Sequence, residues 1–147
     1  MRPPELDVTF SLFKLHCTST EDAGGDEPYM WILGFKVDAE TLGPPPPDSI
    51  LPSLGVQVFT GAPHFRHVLH HDQEAQAGKA YPIPSNLGTR SLRLKPALLP
   101  LAGWFPGLAG IVCLLWDQDA FAPATSEAGY DKFKALFGPA LSTELQV

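Results

Sequence analysis

IVCLLW, residues 111–116, is an unbroken apolar run that leads directly into Asp117-Gln118-Asp119. The run is too short for an isolated helix and rich in strand-forming residues, so it predicts a strand buried on both faces. The end of this strand delivers two carboxylates into one loop. A second acidic loop, residues 21–27 (EDAGGDE), lies between two other strand-like runs. Strands that bring these two loops together would give the molecule one acidic end.

Composition limits the class of protein. The chain has 147 residues, 44% of them hydrophobic, which suits one domain with an ordinary core. Only 18% of the residues are charged, and 16 prolines and 13 glycines favour short strands and loops over a helical bundle. The net charge of −6 argues against nucleic-acid binding, and against adhesion to anionic lipid unless a cation intervenes.

The cysteines and the N-terminus indicate a compartment. Cys17 and Cys113 lie in apolar strand-like runs, where cysteine behaves as a small hydrophobic residue. We expect both thiols to be free and buried, which suits a reducing environment. The first residues lack the apolar region of a signal peptide, and no run approaches the roughly 18 residues of a membrane span. The sequence therefore predicts a cytoplasmic protein.

Apolar alternation predicts the main strands. Residues 6–12 alternate as a half-buried strand does, and a phase shift at residues 12–13 favours a β-bulge over a strand covered on both faces. Residues 29–37 (YMWILGFKV) place aromatic and large apolar side chains on one face, which indicates a central strand. Residues 54–58 and 91–95 predict further strands. Residues 96–110 form an apolar loop in this interpretation.

The C-terminal residues change character. Ser126 can cap a helix whose apolar residues gather on one side, and Gly138-Pro139 should end it. A second short helical turn is predicted at residues 141–145. We therefore expect residues 1–124 to form an antiparallel β-sandwich and residues 125–147 a tail of one or two short α-helices.

The acidic loops are the strongest candidate site. Ca²⁺ takes six to eight oxygen ligands, and loops with several carboxylates supply them. The predicted metal ligands are Asp22, Asp26, Asp117 and Asp119, with Glu127 as a later candidate. The plainer alternative is a solvated acidic loop that binds no ion.

Two short motifs in these loops resemble a known family. Asp26-Glu27-Pro28-Tyr29 resembles the aspartate-proline-tyrosine signature of C2 domains, and residues 116–119 (WDQD) resemble that family's tryptophan-aspartate-x-aspartate motif. The resemblance implies a mainly β, C2-like antiparallel sandwich. It also implies Ca²⁺-dependent membrane docking or, as in many members, a protein-interaction or structural role without calcium.

A second cluster is rich in histidine. His64, His67, His70 and His71 are followed by Asp72 and Glu74. Imidazoles and carboxylates at short spacing bind Zn²⁺. Successive residues of a strand face opposite sides, so His64 and His70 would face one side and His67 and His71 the other, and the four imidazoles could not all converge on one ion. An exposed histidine-rich hairpin is the plainer interpretation.

Motifs for catalysis are absent from the sequence. It has no glycine-rich phosphate loop, no Gly-x-Ser-x-Gly elbow and no Cys-x-x-Cys pair. Trp104-Phe105, in a Pro/Gly-rich segment, could contact lipid or a partner, or cap the end of a sandwich. We therefore predict a non-enzymatic binding or assembly module that acts through a protein partner, self-association or the membrane periphery. A homo-oligomerising structural subunit and a histidine-cluster metalloenzyme are the alternatives.

Overall fold

Eleven strands and two helices build the chain in the computed structural model, which describes residues 1–21, 23–60, 68–69, 74–117 and 123–146. The prediction of a mainly β fold with a C-terminal helix is confirmed. The elements are, in order, β1 Leu6–Ser11, β2 Lys14–His16, β3 Pro28–Val37, β4 Leu42–Gly43, β5 Ser53–Leu54, β6 Gln57–Phe59, β7 Ala80–Pro82, α1 Ser85–Gly88, β8 Thr89–Leu94, β9 Ala97–Leu99, β10 Gly103–Phe105, β11 Leu108–Asp117 and α2 Pro123–Leu145.

Strand β3 is the centre of the fold. It lies between β11 and β6 in an antiparallel three-stranded sheet: β11 pairs with its whole length, and β6 pairs with residues 34–36 on the other edge. Ile32 and Leu33, which face opposite sides of the sheet, are both fully buried. The prediction of a central strand at residues 29–37 is therefore confirmed.

The even-numbered face of β3 carries the apolar core. Met30 and Ile32 pack there with Val68 and Leu87, and partly buried side chains surround this cluster. These neighbours come from β2, β11, the segments beside β1 and α1, and residues 68–69: Leu12, Leu15, Leu69, Ile83 and Ile111. Strands β1–β8 and β2–β7 form two further antiparallel pairs. Because they are separate pairs, the C2-like two-sheet sandwich stays a prediction.

Helix α2 covers the odd-numbered face of β3. The Trp31 ring stacks on Phe133 at a centroid distance of 5.8 Å, and Phe35 contacts Phe137 at the same distance. The buried Tyr130 hydroxyl donates to the backbone oxygen of Ile32 at 2.9 Å. The tail is thus anchored to the central strand by aromatic packing and by a buried hydrogen bond.

Of the predicted one or two short helices, the structure has one, and the predicted end at Gly138-Pro139 is wrong. A single helix of 23 residues runs through Pro139. Proline removes one helical hydrogen bond, but contacts on both sides of it hold the helix to the sheet. Phe137 packs on Phe35, and the Ser142 hydroxyl donates to the backbone oxygen of Leu54. No described helix has the length and apolar character needed to cross a bilayer.

Residues 111–116 form a strand, as predicted, but they are not buried on both faces. β11 pairs with β3 along one edge, and no described strand pairs with its other edge. None of its residues is fully buried, and Leu115 and Trp116 are about half exposed. Apolar composition favours a strand, whereas burial depends on the neighbours that the chain supplies.

Two local predictions are also wrong. At residues 12–13 the chain changes partners, from β8 to β7, instead of forming a bulge within one strand pair. The segment predicted as an apolar loop contains the hairpin β9–β10, in which Trp104 pairs with Leu98. Leu101 at the hairpin turn has a left-handed backbone (φ 62°) and is 93% exposed.

A buried ion network lies where β3 ends. Lys36 donates to Asp38 at 2.8 Å, to Glu40 at 2.7 Å and to the Arg93 backbone oxygen at 3.1 Å. Asp38 also accepts the backbone N–H of Lys95 at 3.0 Å. Burial by itself lowers the pKa of Lys36, but its hydrogen bonds to both carboxylates outweigh burial and leave that pKa raised. The network joins the end of β3 to the end of β8.

Candidate functional site

Pairing of β11 with β3 places the two acidic segments at one end of the sheet. Asp117, the last residue of β11, lies opposite Pro28, the first residue of β3. Asp26 precedes Pro28 closely and forms an isolated antiparallel bridge with Ala75. The structure thus brings Asp26 and Asp117 to the same rim. The other two predicted ligands, Asp22 and Asp119, lie outside the described residues.

Each of these two carboxylates binds a backbone amide. Asp117 Oδ1 accepts the N–H of Glu27 at 3.0 Å, and Asp26 Oδ1 accepts the N–H of Glu21 at 3.3 Å. Glu127, the later candidate, accepts the Tyr29 hydroxyl at 3.3 Å. Within the described ranges, no three His, Cys, Asp or Glu side chains are grouped so that they could hold a metal. These contacts show the carboxylates fixing loop and strand ends.

A cleft of about 260 Å³ opens at this rim. It is lined mainly by β2 and the residues after it, by the start of β3 and by the end of β11: Leu15, His16, Cys17, Thr18, Ser19, Asp26, Pro28, Ala75, Leu115, Trp116 and Asp117. Carboxylates beside an indole and apolar side chains suit the basic or polar end of a partner chain.

The cysteine in this cleft is not arranged as a catalytic nucleophile. One common way to activate a catalytic thiol is a hydrogen bond to a general base. The Cys17 thiol instead donates to the backbone oxygen of Ser19 at 3.4 Å. His16, its neighbour in sequence, belongs to β2, where adjacent side chains point to opposite faces. The hydrogen bond of the Cys17 thiol therefore leads to a backbone carbonyl and not to a base.

Both cysteines are free, as predicted, but the prediction that both are buried is wrong. Cys17 is half-buried, and Cys113 is exposed on β11. Cys113 lies opposite Ile32 in the β11–β3 register, yet the chain provides no strand beyond it among the described residues. Partial burial of the sulfur raises the pKa of the Cys113 thiol, so the neutral thiol is favoured.

Sequence reasoning missed the exposed apolar side chains along β11. Leu108, Leu115 and Trp116 are 43%, 50% and 49% exposed. The strand contains no proline or lysine, two residues that proteins place on edge strands to prevent pairing. The signal that could have found this edge is the uniform apolarity of the strand, which we interpreted as burial.

The aromatic packing that holds α2 to β3 also reaches β11. Trp31 and Trp116 lie with ring centroids 5.2 Å apart, and Trp31 also contacts Tyr130 at 6.1 Å. Trp116 is therefore supported on one side by the core while about half of its surface remains exposed. A rigid, half-exposed indole is a typical anchor in protein interfaces.

The histidine cluster cannot be placed in the same way. His64, His67, His70 and His71 lie outside the described residues, as does Asp72. Glu74 is described and exposed. The zinc hypothesis for this cluster stays a prediction.

Comparison with known proteins gives no relative. A scan against protein-family models, a search of curated proteins and a search of solved structures each return no match to this chain. The resemblance to C2 domains is neither supported nor contradicted by these comparisons and stays a prediction.

Proposed function

We propose that this chain is a non-enzymatic binding or assembly module that binds a protein partner by strand addition at β11. One observation carries the proposal: the ten-residue strand Leu108–Asp117 is paired along a single edge in the described part of the chain. Successive residues of an antiparallel strand direct their N–H and C=O groups to alternate edges. About half of the β11 backbone groups therefore face away from β3, where an extended segment can pair with them.

The side chains along β11 indicate which segment would fit. Leu115 and Trp116 offer exposed apolar surface next to that edge. Asp26 and Asp117 add negative charge at the rim, where the strand ends. An extended, mainly apolar segment fits this arrangement, and one with a basic residue at the rim would gain an ion pair.

Proline substitution tests the edge without knowledge of the natural partner. Adjacent N–H groups point to opposite edges, so one of Val112→Pro and Cys113→Pro removes an outward-facing donor while the other breaks the β3 ladder. The variant that keeps the wild-type melting temperature is the edge-blocked protein. The other variant reports the cost of breaking the ladder.

Phage-displayed random decapeptides serve as the probe. We expect the wild-type chain to select apolar, alternating sequences and the edge-blocked chain to lose them by at least tenfold in affinity. Selection of no peptide, or of peptides that bind both proteins equally, would contradict strand addition at β11.

A second candidate function follows from the rim. Asp26 and Asp117 come to the same end of the sheet, as a Ca²⁺ site shared by two loops requires. In this form of the proposal, Ca²⁺ binding at the acidic loops mediates the membrane or protein interaction. Calorimetric titration with millimolar Ca²⁺ should then give heat and raise the melting temperature, and Asp117→Asn should abolish both effects. No heat and an unchanged melting temperature would contradict Ca²⁺ binding at the acidic loops.

A further inference from the structure

We propose that the segment added to β11 is the β11 of a second copy of this chain, paired antiparallel about a two-fold axis at Cys113. The inference rests on the proposed function and names its partner. Two three-stranded sheets, each ordered β11-β3-β6, would then join into one continuous sheet. Such a contact is isologous and closes on itself, so it predicts a dimer and no larger particle.

Charge along the strand favours a neutral apolar partner such as β11 itself. No charged residue lies between Leu108 and Trp116, and Asp117 is the single charge of the strand. With Cys113 on the axis, Asp117 lies opposite Ala109 of the second copy. At ~3.3 Å per residue the two Asp117 carboxylates are roughly 25 Å apart, which is beyond the Debye length in physiological salt.

Shape favours this register. Opposed residues of an antiparallel pair share a face, and the Cys113 axis places Trp116 opposite Gly110 of the second copy. The largest side chain of the strand thus lies opposite the residue that has none. The Phe35 ring of the same chain covers Gly110, so the indole would meet an aromatic surface. Leu115, half exposed in one copy, would pack against Ile111 of the other.

The strand also lacks the features that usually prevent such pairing. Edge strands of monomeric proteins are commonly blocked by lysine, proline, a bulge or an inward-pointing charge. β11 pairs with β3 in unbroken register from Leu108 to Asp117, and its sequence contains neither lysine nor proline. A strand with these features is a template on which an equivalent strand can pair.

Sedimentation velocity of the full chain, from micromolar to hundreds of micromolar, measures the assembly. We expect a monomer–dimer equilibrium that the edge-blocked proline variant abolishes. Trp116→Ala should weaken it roughly tenfold, an effect within the range of an interface hot spot, whereas Leu98→Ala, on the exposed hairpin, should leave it unchanged. Because each copy carries a charge of −6, added salt should strengthen the dimer by screening repulsion.

Cross-linking tests the register in a Cys17→Ser chain, where Cys113 is the remaining thiol. Copper-phenanthroline should oxidise two Cys113 thiols to one disulfide and trap a covalent dimer, which Cys17→Ser/Cys113→Ser should not form. A monomer at every concentration, a dimer unaffected by the edge-blocked variant, or an absence of cross-linking in the dimer would each overturn the inference.

If the monomer still selects decapeptides at β11, the proposed function stands and only the second copy is wrong. If the edge also binds no peptide, both fail.

Discussion

Strands β3 and β11 are the same length and similarly apolar, yet they differ in burial. β3 is buried over nearly its whole length, whereas no residue of its neighbour β11 is fully buried. β3 has a strand on each edge, α2 on one face and the apolar core on the other. β11 has β3 on one edge. An apolar sequence therefore does not by itself decide burial: among the described residues, no strand pairs with the outer edge of β11.

The comparison is tested most strongly by the same truncation in both strands. Leu33→Ala should reduce the free energy of unfolding by about 4 kcal/mol, because Leu33 is fully buried and its removal leaves a cavity. Leu115→Ala, at a half-exposed site, should change it by less than about 0.5 kcal/mol in the monomer. Urea denaturation at low micromolar protein measures both. Similar losses at the two sites would mean that β11 is part of the core.

A second test concerns the charges where β3 ends. Asp38→Ala should cost about 3 kcal/mol, because it removes one carboxylate from the buried Lys36 ammonium and leaves the Lys95 amide without its acceptor. The exposed pair of Asp7 and Arg93 is the matched control, since its two hydrogen bonds lie in solvent. Asp7→Ala should leave the melting temperature almost unchanged. If Asp38→Ala and Asp7→Ala lowered the melting temperature equally, the stabilising role of the buried network would be contradicted.

A third test concerns the helix that covers β3. Pro139→Ala should stabilise the chain by about 1 kcal/mol, because alanine restores an N–H to the interior of α2. The gain is smaller than the full difference in helix propensity, because the added freedom of the unfolded chain opposes it. Helical circular dichroism and chemical denaturation measure the change. A loss of stability would mean that the helix requires the proline geometry to reach Leu54.

The smallest expected effect is a pH dependence. Hydrogen bonds from Lys36 and then Lys95 lower the pKa of Glu40 from 4.5 to about 2. The unfolded chain therefore binds this proton more readily than the folded chain, and acid favours unfolding. The stabilisation is complete above about pH 4.5 and is lost as the pH falls toward about 2. Glu40→Gln should show a smaller fall in melting temperature over that pH range than the wild-type chain. If the melting temperatures of the two proteins fell equally with pH, the lowered pKa of Glu40 would be contradicted.

The sequence predicted the elements whose pattern is local. Alternation at residues 29–37 fixed a strand with two different faces, and the apolar side of the tail predicted a helix. The sequence predicted burial for both apolar strands and could not tell that β11 would be less buried than β3, because burial depends on long-range contacts such as the pairing of β6 with β3. The low helix propensity of proline predicted a helix end at Pro139. The helix continues instead, and it is held by packing of Phe137 on Phe35 and by the hydrogen bond from Ser142 to Leu54.

The candidate site was predicted only in part. Asp26 and Asp117 were expected at one rim, and strand pairing brings them there because Asp117 is registered with Pro28. The amides that their carboxylates bind could not be inferred, since those contacts depend on loop geometry. The edge of β11 that no described strand pairs with also escaped prediction, because an apolar run has the same sequence whether or not the fold covers it.

Hydrogen–deuterium exchange at two protein concentrations tests the central claim most directly, because it compares β3 and β11 in one experiment. We predict that β3 amides are protected at both low and high micromolar protein. In β11, alternate amides should exchange rapidly in the dilute sample and become protected in the concentrated one. Exchange in β11 that is equally slow, or equally fast, at both concentrations would contradict an edge that is open in the monomer and closed by a second strand.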